Sequence, residues 1–208
     1  MADKKAYVAI PGNGPTPSGK VNFNCVFEVD DKGKYSLMLV FKKSQSDEPA
    51  FKNMVAALNE AAREEFDVPN GYRDPVKGNA LKNPFKTSDH YDYIGEDEVA
   101  VRLKSKFKPQ VLDADGETYL EDDTDFYSGC LARATYSATA YDVDGNRGVQ
   151  LQLNNLQKTG AGKRFSNRKK AHEEFGAVEQ DESLQDMPGE SGEAVAASKV
   201  DEDGDVAF

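Results

Sequence analysis

The chain has 208 residues, of which 38% are hydrophobic and 30% charged, enough for one good core with solvated remainder. Its net charge of -11 argues against nucleic acid only until it is divided by position: Glu173–Phe208 holds twelve acidic residues and one lysine, net -11, so residues 1–172 carry 25 acids and 25 bases. No run approaches the roughly 18 apolar residues of a membrane span, and "MADKKAYVAI" lacks a signal-peptide core, so a cytoplasmic protein with no membrane partner is expected.

The first ordered feature is the loop "GNGPTPSG" (Gly12–Gly19). After it Val21, Phe23, Cys25, Phe27 and Val29 alternate with Asn22, Asn24 and Glu28, which predicts a half-buried strand with the apolar set inward. A turn at Asp31–Lys34 leads into Tyr35, Leu37, Leu39 and Phe41, and the two strands form a hairpin. A helix follows, capped by Ser46 or Asp47, with Pro49 in its first turn and Phe51, Val55, Leu58 and Ala62 on one face; it ends before "DVPNGY". Asn70–Glu98 is a long ordered loop with aromatics at Tyr72, Phe85, Tyr91 and Tyr93, and loops of that length inside a domain are usually functional or disordered.

The strand expected from Val99 to Lys108 separates its faces. Val99, Val101, Leu103 and Phe107 point one way, while Arg102, Lys104, Lys106 and Lys108 form one row with a spacing of roughly 7 Å, comparable to that of phosphates on a single strand. Its alternative is a solvated edge that discourages aggregation. Beyond the acidic loop "EDDTDF", a strand at Gly129–Tyr141 meets one at Gly148–Leu156 across "DVDGNRG". Five strands, one inserted helix and long loops predict a mainly β protein, a closed or partly open antiparallel barrel. Cys25 and Cys130 sit in strand patterns and read as buried free thiols.

A second basic stretch, "KTGAGKRFSNRKK", places Lys163 and Arg164 beside Phe165 after a glycine-rich start. It reads as an arm suited to a single strand, or as a linker loosely paired with the acidic tail. Among the tyrosines, Tyr91, Tyr93 and Tyr141 are the stacking candidates; Tyr136 shares its side of the strand with Ala132, Ala134, Ala138 and Ala140 and is open to a core role, whereas Tyr141 lies with Arg133. Three further motifs carry less. "GPTPSGKV" nearly matches a phosphate-binding loop, but Val21 replaces the hydroxyl and Pro15 and Pro17 remove amide donors. "DVDGN" has Arg147 where a calcium loop needs glycine, and Glu121, Asp122, Asp123 and Asp125 are consecutive carboxylates without a general base. Neither an enzyme, a cofactor nor a small-molecule substrate is expected.

The order of elements, the block "FYSGCLARATYSATAYDVDGNRGVQLQLNNLQKTGAGKRF" (Phe126–Phe165) and the acidic end resemble a family of phage-encoded single-stranded DNA-binding proteins with an OB fold. That resemblance implies coating of single-stranded DNA during phage replication, recombination and repair in the bacterial host cytoplasm. The end "KVDEDGDVAF" is also similar to the tails of bacterial and T7-like phage single-strand binders, which implies docking of replication partners through Asp201, Glu202, Asp203, Asp205 and Phe208, and competition with DNA. It departs from the bacterial form in having Val206-Ala207-Phe208 after the acids.

The resulting expectation is an OB-fold DNA-binding domain over 1–157, a basic arm over 158–172 and a disordered acidic tail over 173–208. Arg102, Lys104, Lys106, Lys108 and Arg133 would take phosphates, and the tyrosines bases. A protein-binding or chaperone-like phage factor whose tail mimics nucleic acid is the alternative.

Overall fold

A computed structural model of the chain describes residues 9–165. Its elements are β1 (Ala9–Pro11), β2 (Gly19–Cys25), β3 (Tyr35–Lys42), α1 (Pro49–Phe66), β4 (Pro75–Val76), β5 (Asn79–Ala80), β6 (Phe85–Lys86), β7 (Glu98–Ser105), β8 (Val111–Leu112), β9 (Leu131–Val143) and β10 (Asn146–Gly160). Five strands close a ring: β9 pairs with β2, β2 with β3, β3 with β7, β7 with β10, and β10 returns to β9. The closed ring and its inserted helix are the OB-like architecture expected. One detail differs from an all-antiparallel barrel, because β7 and β10 run parallel, with Leu151 opposite Leu103 and Gln152 opposite Lys104. Parallel neighbours need a crossover; here the chain between them includes the whole β9 strand.

Alternation fills the interior. Val21, Leu37, Leu39, Phe41, Val101, Leu103, Ala132, Ala134, Tyr136, Ala138, Leu151 and Leu153 all lie in one core cluster. The alanines of β9 are small because α1 lies across β9, β10 and β1, bringing Phe51, Met54, Leu58, Ala61 and Ala62 into the same core. Phe51 packs its ring on Phe41 at 5.7 Å and Phe85 at 5.5 Å. Tyr136 belongs to this core too; burial pushes its hydroxyl pKa up to about 12.

The helix begins later than its capping residues suggest. Ser46 and Asp47 lie in a 3-10 turn, Lys43–Asp47, and Glu48 occupies the cap with Pro49 as first helical residue, a position where a missing N–H is harmless. Asp67 closes the other end in the left-handed conformation at φ 55°, donating its N–H to the Arg63 carbonyl. No helix among the described residues is long and apolar enough to cross a membrane.

The β2–β3 hairpin turns on Asp30, whose carboxylate accepts from the Lys32 and Lys34 amides and the Ser36 hydroxyl. At the far end of the ring, Asp144 and Gly145 both have positive φ, the twist a two-residue turn between long strands requires. That stretch is a hairpin turn, with Asp142 accepting from Arg147 at 2.6 Å. The phosphate-loop look-alike is occupied as well: Thr16 is buried and exchanges hydrogen bonds with the Ala134 backbone.

Candidate nucleic-acid interface

The outward face of β3 and β7 is assembled by register. Asn22, Met38 and Arg102 stand side by side across β2, β3 and β7, and Ser36, Lys104 and Gln152 form the next row. Val40 and Ala100 share this face, and with Met38 they hold Ile94 in a small buried cluster of their own. Ile94 thereby anchors the long loop on the sheet. The loop is also tied by β6 pairing with β7, by Lys82 N–H to the Arg147 carbonyl, and by Glu98 accepting the Gly95 amide.

What the anchored loop delivers is a ladder of rings. Tyr91 and Tyr93 stack at 5.1 Å with 16° between planes, and Phe23 meets Tyr93 edge-on at 5.0 Å. All three are exposed, at 45% for Phe23, 42% for Tyr91 and 41% for Tyr93. They line an open cleft of about 630 Å³ whose other walls include Lys82, Lys86, Arg102, Lys104 and Tyr141. Gly148 is needed there: a Cβ on it would fall 2.6 Å from the Tyr141 hydroxyl and 2.9 Å from Lys82 Cβ.

Cations crowd the cleft among the described residues. Burial, followed by repulsion from Arg102, Lys34 and Lys32, holds the Lys104 pKa below the ordinary lysine value, against which Asp30 pulls it up. Tyr93 is displaced upward, by burial first and Tyr91 next, with Arg102 opposing. A lysine whose protonated form is disfavoured by burial and by neighbouring cations gains when an anion arrives. Half-exposed rings beside them offer apolar faces to unstacked bases.

Five residues expected from the sequence therefore converge: Arg102, Lys104, Tyr91, Tyr93 and Tyr141. The others do not join them. β7 ends at Ser105, whose hydroxyl accepts the Phe107 amide, so the row of four cations stops at two. Phe107 is 76% exposed instead of inward, and Lys108 lines a separate hollow with Phe27 and Tyr119. Pro109, which has no N–H for a ladder, follows at once. Arg133 lies in another depression, with Thr135, Asn155 and Leu156, where it donates to Gln157 at 2.7 and 3.0 Å. Lys163, Arg164 and Phe165 sit against the Asp123–Gly129 loop, and β10 continues through Lys158 to Gly160, past the expected start of the arm. Asp201, Glu202, Asp203, Asp205 and Phe208 lie outside the described residues.

The sequence reading missed Phe23, Lys82 and Lys86. Phe23 was expected inward by alternation, but a bulge between Asn22 and Cys25 shifts the register and puts Phe23 at φ 49°. The available signal was its flanking asparagines, since Asn22 accepts the Phe23 amide through its own side chain, the local bonding that competes with a ladder.

A sequence model of the family described as the ssDNA-binding protein of Enterobacter phage Enc34 matches residues 20–186. Among solved structures, the single-stranded DNA-binding protein from bacteriophage Enc34 is similar with a TM-score of 0.57 and 15% identity, over 80% of this chain and 97% of that one. The same phage protein in complex with ssDNA gives a TM-score of 0.57 and 15% identity, over 77% and 100%. The gp2.5 single-stranded DNA-binding protein of bacteriophage T7 gives 0.52 and 15%, over 76% and 96%. At such identities the structural likeness speaks for the fold. No curated protein sequence matches the chain.

Proposed function

The chain belongs to the phage single-stranded DNA-binding protein family of Enterobacter phage Enc34, and from that footing we propose that it coats single-stranded DNA without sequence preference during phage DNA replication and recombination. One observation carries the reading to particular residues: the cleft on β3 and β7 joins crowded cations to a ladder of exposed rings. Arg102, Lys104, Lys82 and Lys86 meet phosphates, which are the same whatever the sequence. Phe23, Tyr91, Tyr93 and Tyr141 meet base faces, and every base has one. The rings of Tyr91 and Tyr93 already stack on each other, so a base adds to the end of the ladder.

The acidic stretch Glu173–Phe208 has two proposed tasks: docking replication proteins through Asp201, Glu202, Asp203, Asp205 and Phe208, and competing with DNA for the cleft. A tethered segment of net charge -11 would compete at an effective concentration set by its tether. The setting is the bacterial host cytoplasm.

The test is an electrophoretic shift with single- and double-stranded DNA at one stated low salt concentration. The full-length chain is expected to shift the single strand preferentially, and the double variant Arg102→Glu, Lys104→Glu to lose at least about a hundredfold in affinity, as reversed charges now repel phosphate. A double variant that binds as well as the parent would remove the cleft from the proposal.

A further inference from the structure

Building on the single-strand reading, we infer that Phe165 and Lys20 form a second nucleic-acid subsite, separate from the cleft, and that Arg164 is the residue that positions it without itself contacting phosphate. The stretch 161–165 is fastened to the body by a clasp. Gly129, at φ 112°, and Gly162 let two backbones touch; a Cβ on Gly129 would strike the Lys163 carbonyl, and one on Gly162 the Gly129 carbonyl. Phe165 donates its amide to the Ser128 carbonyl at 2.9 Å, and the Tyr127 hydroxyl donates to the Gly162 carbonyl at 3.1 Å.

Arg164 completes the clasp. Its guanidinium lies 4.2 Å from the Tyr127 ring centroid and donates to the Thr124 and Asp123 carbonyls at 2.7 and 3.2 Å. A planar head on an aromatic face, with donors committed to two carbonyls, is engaged by the fold. The adjacent Phe165 is the opposite case. Its ring is 50% exposed, with the Lys20 ammonium 5.6 Å from its centroid, a cation that also meets Glu98 at 3.2 Å. A ring braced by a cation on one side presents a stacking surface on the other.

Register fixes where this platform stands. Lys20, Val40, Ala100 and Lys86 are neighbours across β2, β3, β7 and β6, so Lys20 shares the outward face with the cleft, at roughly 14 Å from Lys86 for three strand spacings. Between them Ile94 covers Val40 and Ala100. A DNA strand using both places must pass over that ridge, and only a longer oligonucleotide reaches both.

The experiment measures binding of the full-length chain to labelled oligo-dT of about 5 and about 20 nucleotides across a salt series, lengths bracketing a single OB-type site. Phe165→Ala is expected to weaken the long oligonucleotide roughly 5- to 150-fold, the range for one stacked base, and to leave the short one unchanged, while Phe165→Tyr retains binding. Arg164→Lys is expected to lose as much as Arg164→Ala, with the slope of log K on log salt unchanged in both. The subsite is overturned if Phe165→Ala binds both lengths like the parent. The positioning role is overturned if Arg164→Lys binds like the parent while Arg164→Ala flattens the slope by about 0.7, the loss of one phosphate contact. Arg102→Glu, Lys104→Glu serves as control: if it leaves the short oligonucleotide unaffected, the cleft reading itself has failed, whatever Phe165 does.

Discussion

Arg102 and Arg133 both point outward from long strands of one barrel, yet their settings are unlike. Arg133 is folded into hydrogen bonds with Gln157, in a depression lined by no aromatic ring among the described residues. Arg102 makes no hydrogen bond among the described residues, presses on Lys104, and faces the stacked tyrosines. Alternation places charge outside in both cases; only tertiary assembly decides whether that charge remains available. The lesson is that an exposed cation becomes a candidate site through what the neighbouring loop brings to it, here Ile94 and the two tyrosines it carries.

Three measurements bear on this contrast. The largest effect is expected at Phe23→Ala, which removes the edge-on ring of the ladder: a loss of about 1 to 3 kcal/mol in single-strand binding by fluorescence anisotropy, with no preference among homopolymers. Parent-like affinity would mean that the rings are packing for the loop and that the cleft differs from the Arg133 side by charge alone.

The second is alkaline titration. Because burial first and Arg102 next hold the Lys104 pKa below its ordinary value, the ammonium is lost as pH rises through that lowered value. Affinity is therefore expected to begin falling before the usual lysine range, by about 0.5 to 1 kcal/mol for a partly exposed contact, and Lys104→Arg to abolish the fall. A parent and Lys104→Arg that titrate identically would separate Lys104 from the bound phosphate. The smallest effect is expected at Arg133→Ala: less than about 0.5 kcal/mol on DNA affinity at any salt, since Gln157 holds its guanidinium in a depression apart from the cleft. A loss equal to that of the cleft residues would erase the distinction between the two sides.

Much of the scaffold was legible because its rules are local. Leu37, Leu39 and Phe41 read as inward, and Asp142–Arg147 as a tight turn, from periodicity and turn chemistry alone. The candidate site was legible where a strand stayed regular, at Arg102 and Lys104, which do share the cleft. It failed where a short-range feature broke the period: the bulge that turns Phe23 outward, and the end of β7 at Ser105 that strands Lys106 and Lys108. Lys82 and Lys86 follow no period, and only the pairing of β6 with β7 and the bond from Lys82 to Arg147 bring them to the cleft. The parallel β7–β10 pair is non-local, so alternation within either strand carries no sign of its direction.

The bulge at Phe23 has an energetic corollary. A bulky residue in left-handed backbone costs about 1 kcal/mol relative to glycine, which would adopt the same angle without strain. Glycine at this position would relieve that strain while stripping the ladder of a ring and of its edge-on contact with Tyr93.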